Sequence, residues 1–264
     1  MALMRLSFFS EVLGRQSYVN VLLPQSMAGR DGSWDTFTAR PPFPVLYLLH
    51  GLSDDQETWL RNTSIERYAD GRNLAVVMPS TDRGFYTDTT YGIRHFTYIS
   101  EELPQILRQY LPLSERREDT YAAGLSMGGY GALKLALRSP ERFSFAASLS
   151  GALMSREMVD MKIAAQAAGP EFPGELERIF GEEIKPEDNI DHLLETANPK
   201  PKLFVCCGLK DWLLPLSAAL AERASGLGYD VTWRTDEQYN HEWAYWDLMI
   251  QEVFKMLPEQ TKPR

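Results

Sequence analysis

Cysteine is almost missing from these 264 residues: there are two, Cys206 and Cys207, side by side in the apolar run Lys202 to Gly208. Adjacent cysteines can close only a strained vicinal disulfide, so the pair reads as two small side chains buried in a strand, and a disulfide scaffold is excluded. Histidine is scarce too, with four residues at no metal-ligand spacing, which leaves no zinc signature. No apolar run approaches the roughly 20 residues of a transmembrane helix. Basic runs are lacking as well. The formal charge of −9 argues against a nucleic-acid or anionic-membrane partner and favours a neutral or cationic small molecule. The apolar start, Met1 to Ser10, is too short for a secretory core and has no small-residue cleavage site, so a cytoplasmic protein is expected.

What is present is an ordinary globular balance, 44% hydrophobic and 24% charged, in a length that suits a single large α/β domain. That domain is organised around Thr120 to Leu137, where a short apolar run meets Gly124-Leu-Ser126-Met-Gly128 and continues in a helical pattern. Gly-x-Ser-x-Gly between strand and helix reads as a nucleophile elbow, a strained turn that lifts the serine hydroxyl clear of both elements. Side chains at 124 and 128 would collide where the two elements come closest. A phosphate-binding turn is the competing reading, but neither Gly-x-Gly-x-x-Gly after the first long strand nor a Lys-Ser/Thr pair is found.

In chain order, Leu6 to Phe9 and Tyr18 to Leu23 predict an antiparallel hairpin at a sheet edge, and Pro24 to Pro44 a surface loop. Val45 to Leu49 is a continuous apolar run ending in His50-Gly51-Leu52, with a helix expected to begin near Ser64. The Leu52 amide is a candidate oxyanion donor there, and His50 a buried brace of the turn. Leu74 to Met78 predicts a strand, and Thr81 to Thr90 a polar loop. Phe96 to Tyr110 predicts a helix with Pro104 as kink or late start and Glu101, Glu102, Arg108 and Gln109 as its solvated face. Arg142 to Ser150 predicts the next strand. Ala152 to Pro201 reads as an inserted helical cap, with helices at about Ser155 to Ala168, Gly174 to Phe180 and Ile190 to Thr196. Lys202 to Gly208 and Asp230 to Arg234 predict strands, and Pro215 to Leu227 and Trp243 to Leu257 helices. The alternation implies a mainly parallel sheet covered by helices on both faces.

A serine hydroxyl needs a base, and the base needs a group that fixes its tautomer. Only His192 and His241 follow the elbow. His192 falls in the cap on a helical pattern, whereas His241 lies between the last strand and the last helix, where a base reaches over the strand ends. Asp211, just past a buried strand, is the candidate acid and Asp236 the runner-up; Asp160, Asp188 and Asp191 belong to the cap. Ser126 would attack an ester carbonyl, the Leu52 and Met127 amides would hold the oxyanion, and His241 would pass the proton to the leaving alcohol. No cofactor or metal is required. Trp59, Phe85, Tyr86, Trp212 and Trp243 are candidate pocket walls, each equally a core aromatic. The acidic cluster Asp54, Asp55 and Glu57 near the turn reads as solvated loop or as a repellent of anionic substrates.

Leu48-Leu-His-Gly-Leu52, Arg83-Gly-Phe-Tyr-Thr-Asp88, Phe96 to Pro104, Ala123 to Ala132 and His241-Glu-Trp-Ala-Tyr-Trp-Asp247 together resemble the esterase D-like α/β-hydrolases. Within them, the chain is most similar to bacterial tributyrin esterases and their acetyl-xylan and feruloyl esterase relatives. The resemblance runs from about Leu6 to the last helix. It implies a carboxylesterase for short acyl esters, cytoplasmic and often homo-oligomeric, with Ser126, Asp211 and His241 on the family's triad and Leu52 and Met127 on its oxyanion positions. S-formylglutathione hydrolases look similar in fold but usually carry a cysteine soon after the His-Gly turn, where this chain has Ser53-Asp54-Asp55. Acyl transfer to another alcohol, and a silent hydrolase fold used for binding, are the competing functions.

Overall fold

Short, fully apolar runs separated by amphipathic stretches can be buried only if a sheet is covered twice, and the computed structural model has that architecture. It describes residues 1–26, 39–155 and 172–258. The strands are β1 (Ala2–Ser10), β2 (Arg15–Leu23), β3 (Val45–Leu49), β4 (Ala75–Pro79), β5 (Thr120–Leu125), β6 (Phe145–Leu149), β7 (Lys202–Gly208) and β8 (Val231–Asp236). They form one sheet in the order β1-β2-β4-β3-β5-β6-β7-β8. β1 and β2 make the antiparallel edge hairpin and β2 runs antiparallel to β4. Every pairing from β4 to β8 is parallel.

All residues of β3, β4, β5 and β6 are buried, as strands with both faces covered must be. Successive side chains alternate between two cores. The helices are α1 (Thr58–Asn62), α2 (Ile65–Ala69), α3 (His95–Thr97), α4 (Met127–Arg138), α5 (Phe172–Phe180), α6 (Ile190–Thr196), α7 (Leu214–Gly226) and α8 (Trp243–Met256). Val45, Tyr47 and Leu49 face the core packed by α3, α4, α6 and α7, and Leu46 and Leu48 the other, packed by α1, α2 and α8. Among the described residues no helix is long and apolar enough to cross a membrane.

Three departures from the sequence reading have local causes. The first helix starts at Thr58 rather than near Ser64, because the Asp55 carboxylate accepts from the Glu57 amide at 2.8 Å and from the Thr58 hydroxyl, starting the turn that buries Trp59. α3 continues through a π turn, Tyr98–Glu102, into Leu103–Tyr110. Pro104 has no N–H to give the Ser100 carbonyl, and Arg142 supplies the missing donor at 2.5 Å. Glu102, expected to be solvated, instead accepts from the Glu11 amide at 2.7 Å and from the Val12 amide and Ser10 hydroxyl, clamping the β1–β2 turn.

The segment between β6 and β7 is described in part; the helix expected at Ser155 to Ala168 lies largely outside the described residues. Its described portion is tied to α4 by a buried polar knot. The Tyr130 hydroxyl donates to the Asp188 carbonyl at 2.8 Å. The fully buried Lys134 ammonium pairs with the Asp188 carboxylate and donates to Thr87 Oγ1 at 2.7 Å. Burial pushes the Lys134 pKa down to about 8, with Asp188 opposing the shift. Removing one partner strands the other charge in the core, so Lys134→Met should cost about 3–5 kcal/mol in urea unfolding, and Lys134→Met/Asp188→Asn clearly less than the single change. Equal losses in the single and double variants would contradict the pairing.

Candidate active site

The site begins with a steric conflict that only glycine avoids. A Cβ at Gly124 would lie 2.3 Å from the Gly128 carbonyl oxygen, and one at Gly128 would lie 2.4 Å from the Leu49 oxygen. With β5, α4 and β3 this close, Ser126 between them takes φ +53° and ψ −119°, a conformation costing of order 1–3 kcal/mol in a non-glycine residue. The surrounding backbone holds it there: the Ser126 amide donates to the Leu149 carbonyl at 2.9 Å, and its carbonyl accepts from Gly129 and Ala152, each at 3.0 Å.

The loop between β8 and α8 brings His241 over the strand ends. Its Nε2 lies 3.0 Å from Ser126 Oγ and its Nδ1 2.9 Å from Asp211 Oδ2. Asp211 is buried, and its other oxygen accepts the Leu213 amide at 2.9 Å. Burial works to raise the Asp211 pKa, but the hydrogen bonds from His241 and Leu213 outweigh it and the carboxyl sits below its ordinary value. An ionised carboxylate accepts the hydrogen bond from Nδ1–H, so Nε2 is the acceptor turned to the serine hydroxyl. Asp236, the runner-up acid, accepts from the Gln238 amide instead, and His192 is exposed on α6.

At the end of β3, His50 is 1% exposed and braces the turn from both ring nitrogens. Its Nε2 accepts the Thr81 amide at 3.1 Å, so Nδ1 carries the hydrogen and donates to the Gly51 carbonyl at 2.7 Å. The Gly51 amide in turn donates to Asp54 Oδ2 at 3.1 Å. Fixing the Gly51 carbonyl fixes the Leu52 N–H of the same planar peptide in the opposite direction. The Met127 N–H is the first of α4 and has no partner within the helix. Among the described residues neither amide has a hydrogen-bond acceptor, and both belong to residues flanking Ser126 or the cavity above it.

That cavity, about 610 Å³, is walled by Leu52, Leu125, Trp212, Trp243 and Trp246 and also carries Asp54, Arg83 and Glu242. Trp212 and Trp243 are thus where the sequence reading puts them. Trp59, Phe85 and Tyr86 are not walls. Trp59 lies behind Trp243, rings perpendicular at 5.2 Å, with its indole N–H on the Leu49 carbonyl at 3.0 Å. Phe85 and Tyr86 have φ near +48°, and both are buried: Phe85 packs on Tyr130 and Phe180, and the Tyr86 hydroxyl donates to the His50 carbonyl at 3.0 Å. Trp246 was missed, although it follows Trp243 at helical spacing, and its ring stands edge-on to His241 at 4.8 Å. Arg83, held by Glu175 of α5, opens one of the motifs that carry the family resemblance but was not among the candidate cavity residues. Of the acidic cluster, Asp55 accepts from the Glu57 amide just before α1 and Glu57 pairs with Arg5, so only Asp54 lines the cavity. No metal-holding group of His, Cys, Asp or Glu is found among the described residues.

Two buried histidines set an acid limit on the scaffold. Burial lowers the pKa of His50, and it lowers that of His95, beside Gly84, to about 4. Below the ordinary value near 6.5 the unfolded chain therefore binds protons that the folded chain refuses, and stability falls as pH drops. Urea unfolding between pH 6.5 and 5 should lose up to about 1.4 kcal/mol per pH unit for each histidine; a flat profile would contradict their neutral, buried state.

The Esterase family model matches residues 10–257. The fluorophosphonate-binding serine hydrolase FphF of Staphylococcus aureus is 31% identical, with a TM-score of 0.81 over 97% of this chain and 98% of that one. The S-formylglutathione hydrolase FrmB of the same organism is 32% identical, with a TM-score of 0.80 at the same coverage. An acetyl esterase of Caldicellulosiruptor saccharolyticus is 27% identical over 97% of this chain and 98% of its own length. The chain belongs to the Esterase family: it is an α/β-hydrolase and a serine-type carboxylic ester hydrolase.

Proposed function

We propose that the chain hydrolyses esters of short acyl groups, acetyl above all, through an acyl-enzyme on Ser126. The observation that carries this reading is the continuous hydrogen-bonded chain from Ser126 through His241 to Asp211, beside two amides that have no acceptor among the described residues. His241 Nε2 takes the hydroxyl proton as Oγ bonds to the ester carbonyl carbon. The carbonyl oxygen becomes an oxyanion facing the Leu52 and Met127 amides, and Asp211 stabilises the imidazolium that has formed. Collapse of this intermediate breaks the bond to the alcohol oxygen, which leaves with the proton from His241. Water, deprotonated by the same nitrogen, then attacks the acyl-enzyme and frees the acid and the serine. Each oxyanion donor contributes roughly 10²–10³ in turnover.

The acetyl esterase relative supports a small acyl group, and the tryptophan walls supply apolar contact for it or for the alcohol. The FrmB relative keeps thioester hydrolysis as a second reading, since the same attack serves a thioester carbonyl. Rates on p-nitrophenyl esters from acetate to octanoate, with S-formylglutathione alongside, separate the two. The expected outcome is highest kcat/KM on the shortest esters, falling with chain length and exceeding that on the thioester. Ser126→Ala should lower kcat by about 10⁶ and Asp211→Asn by about 10⁴. A preference for the thioester would move the assignment to the second reading, and turnover unchanged in Ser126→Ala would end the serine mechanism.

A further inference from the structure

Outside the triad, the cavity above Ser126 is charged as well as aromatic. Trp212, Trp243 and Trp246 give it indole walls, and the carboxylates of Asp54 and Glu242 share the same lining. Each carboxylate is held by a backbone amide, Asp54 by Gly51 at 3.1 Å and Glu242 by Asn240 at 3.0 Å, and among the described residues neither has a cationic partner. Burial raises the Asp54 pKa and the Gly51 amide only partly offsets it, as expected of a carboxylate that has lost water without gaining a counter-charge.

Arg83, the one lysine or arginine of the described lining, does not redress the balance. Its guanidinium forks onto both carboxylate oxygens of Glu175, at 2.6 and 2.5 Å, so that pair is neutral as a whole and Asp54 and Glu242 stay uncompensated. Buried Asp211, behind His241, adds a third negative charge, and the chain as a whole, at −9, has the same sign. Like charges lining a concave site focus their field on whatever enters it. Indole is also the best of the aromatic side chains for holding a cation.

We propose that this cavity selects acyl esters whose alcohol carries a positive charge, an alkyl or quaternary ammonium group, with Asp54 and Glu242 supplying the opposite charge and the indoles the contact for its methyl or methylene groups. The inference deepens the esterase reading and rests on Ser126 being its nucleophile. The reaction itself is unaltered: ester and water give the carboxylic acid and the ammonium alcohol, and no bond to the cationic nitrogen forms or breaks. An anionic ester would meet two like charges, and a neutral one would leave both carboxylates without a partner.

Two acetate esters of nearly equal shape isolate the charge: acetylcholine, with a trimethylammonium group, and 3,3-dimethylbutyl acetate, with a tert-butyl group in its place. The readout is the ratio of their kcat/KM within each protein, in which changes common to both esters cancel. Wild type should favour the cationic ester by about tenfold in dilute buffer, and by less in about 0.5 M salt. Glu242→Gln, which keeps an oxygen for the Asn240 amide, should lower the ratio roughly threefold, and Asp54→Asn/Glu242→Gln should lower it further. A ratio near one in wild type, or a preference that both variants leave unchanged, would overturn the proposal. So would faster turnover of the acetate ester of 2-hydroxyethanesulfonate, because Arg83 rather than the carboxylates would then read the alcohol. Binding of the product alcohols, choline against 3,3-dimethylbutan-1-ol, followed by tryptophan fluorescence, needs no turnover. Choline should bind about tenfold more tightly, and equal affinities would overturn the proposal. A wild type that hydrolyses neither ester nor p-nitrophenyl acetate would count against the esterase reading, and the binding comparison would still decide the charge preference.

Discussion

Everything in this molecule that bears on chemistry follows from one steric constraint, the approach of α4 to β5 and β3 so close that neither Gly124 nor Gly128 has room for a Cβ. Backbone against backbone at that distance leaves Ser126 a single way through the turn, with φ +53°. The strain is local and the compensation is spread: hydrogen bonds to Leu149, Gly129 and Ala152 fix the serine backbone from three directions. The same approach sets the first amide of α4 beside the hydroxyl, at the end of the helix where the dipole favours negative charge. The proposed nucleophile and one proposed oxyanion donor are thus consequences of a single packing event.

The second proposed donor, the Leu52 amide, is built differently, from polar groups rather than contact. Tyr86, Asp54 and the His50 ring, itself held by the Thr81 amide, fix the two peptides of the His50-Gly51-Leu52 turn, and among the described residues the Leu52 N–H is left without an acceptor. The network works because His50 is neutral, with one ring nitrogen giving and the other receiving, and burial lowers its pKa. Phe85 and Tyr86 serve this framework rather than the substrate. Their positive φ values turn bulky rings inward under α4, where Tyr86 meets Gly131 and reaches the His50 carbonyl.

The parts of the site legible in the sequence are those that depend on local geometry or on chain order. Apolar runs of strand length locate β3, β4, β5 and β7 within a residue, β6 begins three residues after the expected Arg142, and the glycine spacing locates the elbow. The positions of Asp211 and His241 after buried strands place them at one edge of the sheet. What escapes is decided by partners distant in the chain. Lys134 sits in Ala-Leu-Lys-Leu-Ala, a pattern that hides a buried ion pair until Asp188 is docked on α4. Glu102 looks solvated on its own helix and is claimed by the turn between β1 and β2. Trp59 and Trp243 look alike as candidate walls, yet only the orientation of one ring across the other decides which of them faces the cavity. Propensity and periodicity carry no information about such contacts.

The central claim is that Ser126 becomes acylated. The most direct measurement is intact-mass and peptide-level mass spectrometry of the protein quenched in acid during steady-state turnover of p-nitrophenyl acetate. The expected result is a single acetyl group, mapped to the peptide containing Ser126 and gone once substrate is exhausted. An acetyl group on any other residue that tracks turnover, or rapid turnover with no covalent species trapped under burst conditions, would contradict it.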